Sequence, residues 1–222
     1  MNAPMPRVAA SSTGATRSLQ ATLSIPSATP YPWPFDGAID PRSVALIVAG
    51  HDASWAGRCA PDPRAEEAMI GLAHAVTRSG GAAFALRHVA PVRGRGRASR
   101  TPVALADVEP ITTAGIDGFF GSALDAQLRS GNRTHLVVCG YGLEAPVHST
   151  LRSANDRGYE CLLVADASPA LDPSLRAAAV STVNMSGGIF GAVAEASAVI
   201  DAVRSSPPTE SPSTTTHRGA NP

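Results

Sequence analysis

Lysine is absent from the 222-residue sequence, because all 18 cationic side chains are arginine. Any mechanism that needs a lysine from this chain is therefore excluded. Charge of either sign is also scarce: 18 cationic side chains balance 18 acidic ones, and charged residues make up 16% of the chain. This balance argues against nucleic acid as the main partner, and it indicates no acidic tail.

Long hydrophobic runs are lacking as well. The longest apolar run falls well short of the roughly 20 residues that span a bilayer, and no signal-peptide pattern opens the sequence, so we expect no membrane association. Three cysteines, Cys59, Cys139 and Cys161, cannot all pair with one another. Two of them lie in strand-like apolar runs, so we expect free thiols and a cytoplasmic location.

Both ends of the sequence are poor in the patterns that build a core. Residues 1–29 and 205–222 are rich in Ser, Thr and Pro without helical or strand periodicity, so both are expected to be disordered. Residues 30–204 are expected to form one domain. Its first segment, 31–37, contains two prolines, which favour an extended path, and three aromatic side chains expected to pack on the surface.

The middle of the sequence alternates between strand and helix patterns. Strands are expected at 44–49, 82–89, 135–139, 161–165 and 189–193, and helices at 63–79, 119–129, 147–157, 173–183 and 195–204. This alternation predicts a parallel sheet covered on both faces. Sites in such sheets form beyond the carboxyl ends of the strands, so the loops after Ala49, Val89, Cys139 and Ala165 are the places to examine.

One of these loops resembles a known family. The segment 140–166, which begins Gly-Tyr-Gly-Leu-Glu-Ala-Pro-Val-His-Ser-Thr, is similar to the signature of the isochorismatase-like cysteine hydrolases. The segments 187–191 (Gly-Gly-Ile-Phe-Gly) and 32–37 (Pro-Trp-Pro-Phe-Asp-Gly) resemble the ureidoacrylate and biuret amidohydrolase branch. The resemblance covers about residues 31–204. It implies a three-layer α/β/α sandwich with a parallel sheet of about six strands.

The catalytic residues that the resemblance implies are missing. Family members use a cysteine nucleophile, an aspartate base and a lysine. Pro146 stands at the position of the cysteine, Gly50 at that of the aspartate, and Thr113 or a neighbour at that of the lysine. Pro146 also lacks the backbone N–H that helps to stabilise the oxyanion in the resembling enzymes.

These losses predict a non-catalytic protein, a pseudoenzyme, that acts as an assembly or regulatory subunit. We expect a homo-oligomer, or a hetero-oligomer with a related hydrolase chain, and no cofactor. The alternative is a C–N or vinyl-ether hydrolase with a site rebuilt around His51, Asp52, Glu144 and His148. For either hypothesis, the possible pocket comprises His51, Asp52, His88, Phe119, Tyr141, Gly142, Glu144 and His148.

Three other features are open to a functional interpretation. Cys139 could be a displaced nucleophile, but a small buried hydrophobic residue fits its strand better. A zinc site from His51, Asp52 and His88 lacks any known ligand spacing, so no metal is expected. The arginine-rich run 93–100 could bind phosphate or nucleic acid, or gate the pocket by recognising a carboxylate. Its glycine spacing is instead typical of a mobile, solvated loop.

Overall fold

The computed structural model describes residues 22–89, 99–185 and 187–205, and a six-stranded parallel sheet lies at its centre. The strands are β1 (Val44–Ala49), β2 (Ala82–His88), β3 (Glu109–Thr113), β4 (His135–Gly140), β5 (Glu160–Val164) and β6 (Ala192–Ala194). Their order is β3-β2-β1-β4-β5-β6, and each neighbouring pair is parallel. The predicted parallel sheet of about six strands is confirmed.

Helices connect the strands and cover both faces of the sheet. They are α1 (Ala53–Arg58), α2 (Pro63–Arg78), α3 (Leu124–Ser130), α4 (His148–Asp156), α5 (Arg176–Asn184) and α6 (Ala196–Ser205). A π-helical turn, Leu143–Val147, leads into α4. Within the described ranges, no helix has the length and apolar character needed to cross a membrane.

Strand β1 occupies the middle of the sheet and determines where a site can form. Every residue of β1 is buried, as its uninterrupted apolar sequence predicts for a strand covered on both faces. The chain then adds β2 and β3 on one side of β1, and β4, β5 and β6 on the other. Because the connections after β1 and β4 lead to opposite sides of the sheet, a crevice forms beyond the carboxyl ends of these two strands. This is the usual place for a ligand in an open α/β sheet.

Two apolar clusters, one on each face of the sheet, form the core. Helices α2 and α6 pack together on one face, where Leu72 and Val199 are buried with alternate residues of β1. On the other face, α3, α4 and α5 contribute Leu128, Leu151 and Val183. The architecture is therefore the three-layer α/β/α sandwich that the resemblance implies.

The packed region begins before residue 30, where the sequence analysis places the start of the domain. Leu23 and Ile25 are buried, and their backbones pair with Ile39 and Trp33 in a narrow antiparallel arrangement. A further bridge joins Thr29 to β6. We call residues 22–39 the N-terminal strap. Residues 1–21 and 206–222, expected to be disordered, lie outside the described residues.

The aromatic side chains of the strap differ from the expectation that all three lie on the surface. Trp33 is completely buried in the core, whereas Phe35 is exposed and Tyr31 is half-buried. The prediction was wrong for Trp33 because sequence-local signals do not show that the strap lies across the sheet, where an indole can be covered from both sides.

Several element boundaries also differ from the sequence prediction. Strand β3 and helix α1 were not predicted, and the helix expected at 119–129 begins only at Leu124. The strand expected at 189–193 is the three-residue β6. The helix expected from residue 147 begins at His148, because the preceding residues form the π-helical turn.

Candidate functional site

The crevice between β1 and β4 is closed beside Gly50, the residue at which the resemblance places an aspartate. Gly50 follows β1 with φ +61°, and a Cβ atom added there would lie 2.5 Å from the carbonyl oxygen of Tyr141. It would also lie 3.0 Å from Cγ of Pro146. Tyr141 cannot retreat easily, since its N–H donates to the carbonyl of Ala49 at 3.0 Å. An aspartate side chain does not fit at residue 50.

The π-helical turn carries Pro146 into the same space. The Pro146 ring lies against Gly50 and also against Gly142, whose added Cβ would be 2.9 Å from the proline Cδ. The N–H groups of Ala145 and Val147 donate to the carbonyl of Gly142 at 3.0 and 3.4 Å. Pro146 itself has no N–H. The turn that supplies oxyanion donors in the resembling enzymes is therefore bonded to its own backbone.

Thr113 ends β3 and does not replace the chemistry of a lysine. It is buried, and its hydroxyl donates to the carbonyl of Gly115 at 3.1 Å. It stands opposite His88 in the register between β2 and β3. A neutral hydroxyl in this position contributes a local hydrogen bond and no positive charge.

His51 follows Gly50 and is held in one tautomer. Its buried Nε2 lies 2.8 Å from the carbonyl oxygen of Val103, which only accepts, so Nε2 carries the proton. Nδ1 then carries a buried lone pair that has no hydrogen-bond partner in the described part of the chain. Burial lowers the pKa of His51 below its usual value, so the imidazole is neutral at pH 7.

Asp52 is occupied by structural contacts. Its Oδ1 caps α1 by accepting from the N–H groups of Ser54 (2.9 Å) and Trp55 (3.1 Å), and its Oδ2 accepts from the N–H of His88 at 3.2 Å. Burial acts to raise the pKa of Asp52, but the hydrogen bonds to His88 and Trp55 outweigh burial, and the net pKa is lowered. Asp52 is therefore an ionised cap and is poorly suited to act as a general acid.

His88 also serves the packing around α1. The indole N–H of Trp55 donates to Nδ1 of His88 at 3.0 Å. Because Nδ1 accepts this bond, it carries no proton, and its 3.7 Å approach to Oδ2 of Asp52 is not an ion pair in the neutral form. A zinc site from His51, Asp52 and His88 would have to break these contacts.

Residues 99–108, which we call the covering segment, lie over the end of the sheet. The hydroxyl of buried Tyr141 donates to Glu66 and accepts from the N–H of Val103, each at 3.0 Å. Arg100 pairs with Glu66 and lies over the Tyr141 ring, 5.4 Å from its centroid. Burial raises the pKa of Tyr141 to about 12, so the phenol remains protonated. These bonds fix the covering segment to α2 and β4.

A cavity of about 510 Å³ lies beneath the covering segment, next to His51. Its lining comprises His51, Asp52, Ala53, Ala85, Arg87, Thr101, Pro102, Val103, Ala104, Leu105 and Val108. Of the eight residues proposed for a pocket from the sequence, only His51 and Asp52 take part. The ionisable residues of the lining are therefore His51, Asp52 and Arg87.

The remaining proposed pocket residues lie elsewhere and have structural partners. Glu144 accepts from the N–H groups of Leu171 (2.8 Å) and Asp172 (3.0 Å), which ties the π-helical turn to the loop after β5. His148 accepts from Arg152 one helical turn later at 3.1 Å. Neither side chain lines the cavity next to His51.

Phe119 belongs to the core rather than to a pocket. Its ring stacks on Tyr159 with centroids 5.9 Å apart, and the Arg157 guanidinium lies 4.6 Å from its centroid. It packs in the apolar cluster on the α3–α5 face of the sheet. Phe119 is thus packed against the core, and it is not among the residues that line the cavity next to His51.

Cys139 and Cys161 do not supply a nucleophile. They are buried, as Cys59 is. Burial raises the pKa of the Cys139 and Cys161 thiols well above their usual value, so neither is a thiolate at pH 7. Cys139 is the small buried strand residue that its apolar surroundings indicate.

Sequence reasoning places Tyr141 in the possible pocket but misses the residues that bind it. Tyr141, Glu66 and the covering-segment residues Arg100 and Val103 come from three separate parts of the chain and share no motif. Glu66 lies within a predicted helix, and Arg100 belongs to the arginine-rich run, of which residues 93–98 lie outside the described residues. Only their contacts in three dimensions show that they act together.

Comparison with known proteins agrees with this architecture. Solved structures similar to the chain include a cysteine hydrolase from Pseudomonas syringae (20% identity, TM-score 0.62, 75% of this chain and 95% of that one). An isochorismatase family protein from Burkholderia thailandensis matches at 19% identity (TM-score 0.60, 75% and 97%). A nicotinamidase from Staphylococcus aureus also matches at 19% (TM-score 0.57, 69% and 99%). At these identities the likeness shows the fold alone.

The family model for the isochorismatase domain matches residues 65–197. The matched region begins in α2 and ends in α6, so it includes five of the six strands, the π-helical turn and the covering segment. The chain therefore belongs to the isochorismatase family.

Proposed function

We propose that this chain is a non-catalytic member of the isochorismatase family that acts as an assembly or regulatory subunit of a related amidohydrolase. We further propose that it derives from the ureidoacrylate and biuret amidohydrolase branch. The observation that carries the proposal is the closed crevice: the Tyr141 carbonyl and the Pro146 ring occupy the space beside Gly50.

The chemical loss is larger than the absence of a thiol. Replacing the cysteine by proline removes the nucleophile together with one backbone donor, and loss of a single oxyanion donor costs about 3 to 4 kcal/mol of barrier. Loss of the nucleophile costs more, because members of a catalytic unit do not act additively. The base and the lysine are missing too, so no member of the family's catalytic set remains.

An activity assay tests the first half of the proposal. We expect no hydrolysis of ureidoacrylate, biuret, nicotinamide or N-carbamoyl amides by the purified full chain. A turnover above about 0.1 s⁻¹, against a median near 10 s⁻¹ for enzymes, would contradict the proposal. The double variant Gly50→Asp with Pro146→Cys should recover little, because the aspartate has no room and the lysine is still missing.

An apolar groove beside the strap supports the assembly role. Phe35 and Ile189 are 75% and 71% exposed and line a groove of about 480 Å³ with Tyr31. Met185, close by in the sequence, is 78% exposed. Exposed aromatic and aliphatic groups of this kind are typical of a surface that is covered in an assembly. We propose that a second copy, or a related hydrolase chain, covers it.

Light scattering measures the assembly directly. We expect a mass above that of one chain at micromolar concentration, alone or after co-expression with a related hydrolase, and an interface of at least about 1,000 Å². Ile189→Glu should reduce the mass to that of one chain, whereas Ile116→Glu, also at an exposed apolar residue, should not. A monomer under both conditions would overturn the assembly role.

A second candidate function is favoured by one observation, the cavity beside the His51 lone pair. A C–N or vinyl-ether hydrolase with rebuilt chemistry would use this imidazole as a base, with Asp52, Glu144 and His148 as the other candidates. The contacts described above commit those three side chains to structural roles. Turnover that disappears in His51→Gln, in a variant that remains folded, would favour this candidate over the subunit.

A further inference from the structure

The edge of the sheet opposite the closed crevice carries a different cluster of polar side chains. His135 begins β4 and Glu160 begins β5, and the two residues are register partners. Asp36 of the N-terminal strap lies beside them. One ligand atom from each of the three residues lies within 4.8 Å of the other two. Three separate parts of the chain therefore bring an imidazole and two carboxylates to one point.

His135 has an orientation suited to a ligand. Its Nδ1 lies 2.8 Å from the hydroxyl of Thr134. Its Nε2 is buried, forms no hydrogen bond with any described residue, and lies 3.3 Å from Oε2 of Glu160. When Nδ1 donates to the hydroxyl, Nε2 presents a lone pair to the carboxylates. Metal-bound histidines commonly have this arrangement, with the second nitrogen held by a hydrogen-bonding partner. The Trp33 ring, 5.6 Å away edge-to-face, further restrains the imidazole.

A simple ion pair between His135 and Glu160 explains less of the geometry. One imidazolium would neutralise one carboxylate, and the second carboxylate, that of Asp36, would remain an excess negative charge at the same point. Glu160 is also fixed through its other oxygen, which accepts from the N–H of Phe35. A divalent cation balances both carboxylates and gives the orphaned Nε2 a partner.

We propose that Asp36, His135 and Glu160 bind a divalent transition-metal ion of the zinc class. Zinc bonds to nitrogen and carboxylate oxygen are about 2.0 to 2.2 Å long, so ligand atoms around one ion lie roughly 3.3 Å apart. The separation of Nε2 and Oε2 already has this value. Asp36 is exposed, and a carboxylate oxygen of this residue lies within 4.8 Å of the ligand atoms of the other two residues. An imidazole with two carboxylates favours zinc over magnesium or calcium, which prefer oxygen ligands alone.

The site would attach the strap to the sheet. Asp36 belongs to the strap, whereas the other two ligands belong to β4 and β5, so the ion links segments far apart in the chain. Binding to the folded state alone raises the stability of that state. The expected role is thus a fastening of the strap, apart from the closed crevice but next to the apolar groove, whose lining includes Glu160.

Calorimetric titration with zinc chloride tests the site on the full, untagged, chelator-treated chain. We expect one ion per chain and a higher midpoint of thermal unfolding with zinc, unaffected by a tenfold excess of magnesium. Asp36→Asn should weaken binding at least tenfold, and this exposed residue can be changed without disturbing the core. His135→Gln should abolish binding. His74→Gln, at an exposed histidine of α2, is the matched control and should bind as the wild type does.

Cobalt provides a second readout that depends on position. Since Trp33 contacts the His135 ring, cobalt bound at the site should quench the Trp33 fluorescence in a Trp55→Phe background. The quenching should be lost in Asp36→Asn. The proposal is overturned if zinc at 100 µM produces no binding heat, or if Asp36→Asn and His135→Gln bind zinc as tightly as His74→Gln.

Discussion

Substitution of Gly50 by alanine tests the closed crevice most directly. An L-residue in the left-handed region costs about 1 to 2 kcal/mol. The added Cβ would also lie 2.5 Å from the Tyr141 carbonyl oxygen, and overpacking of this kind costs a further ~1 to 3 kcal/mol. We therefore expect Gly50→Ala to lower the free energy of unfolding by about 2 to 5 kcal/mol.

Gly187→Ala is the matched control for this measurement. Gly187 has φ +65°, close to the +61° of Gly50, but an added Cβ there would meet no atom of the described residues within 4 Å. Gly187→Ala should therefore lower the free energy of unfolding only by the conformational cost of the left-handed backbone, about 1 to 2 kcal/mol. Urea unfolding of both variants, followed by circular dichroism, separates the steric part from the conformational part.

The difference between the two variants is the quantity that decides. If Gly50→Ala costs no more than Gly187→Ala, the Tyr141 carbonyl is free to move and the crevice can open. The argument against an aspartate at residue 50 would then fail, because an aspartate needs the same Cβ position. A larger cost for Gly50→Ala means that the family's catalytic base cannot return without a backbone shift.

Three further predictions concern the residues around the covering segment. Tyr141→Phe should lower the free energy of unfolding by about 1 to 3 kcal/mol, because it removes two buried hydrogen bonds. The Val103 amide should also exchange its hydrogen faster in this variant. Unchanged exchange would contradict the role of the hydroxyl. Burial lowers the pKa values of His51 and His148 below the usual 6.5, so the free energy of unfolding should fall as the pH decreases below 6.5, by up to about 1.4 kcal/mol per pH unit for each group. His51→Gln should make this dependence on pH less steep. An unchanged slope would show that His51 is not buried in its neutral form. The lowered pKa of Asp52 contributes stability that is present above its unfolded pKa, about 3.9, and is lost as the pH falls through the folded value. In Asp52→Asn, the free energy of unfolding should therefore depend less steeply on pH below pH 4. A steeper dependence would refute the lowered pKa.

The central strands could be predicted from the sequence because their pattern has only one physical interpretation. The run Val44–Ala49 is apolar at every position, and only a strand covered on both faces buries all six side chains. Strand β3 could not be found in this way. Only two of its five side chains are buried, and Pro110 is typical of an edge strand, so neither apolar content nor alternation marks it.

The candidate site was predictable only in part, for a similar reason. Similarity to a family motif indicates which positions the missing catalytic residues would occupy, and the structure does bring Gly50 and Pro146 into contact. The motif contains no signal for the Tyr141 carbonyl that fills the space, or for the hydrogen bond from the Tyr141 hydroxyl to the covering segment. These contacts join residues far apart in the sequence, where local propensity carries no information.

The N-terminal strap has a consequence for how the chain is made. Thr29 pairs with β6, and its hydroxyl donates to Asn184, which follows 155 residues later. At synthesis rates of about 5 to 20 residues per second, the strap leaves the ribosome roughly 8 to 30 s before these partners exist. Leu23, Ile25 and Trp33, all buried in the finished domain, are exposed throughout that interval. We therefore expect the nascent chain to present these apolar side chains without their final partners until translation reaches β6.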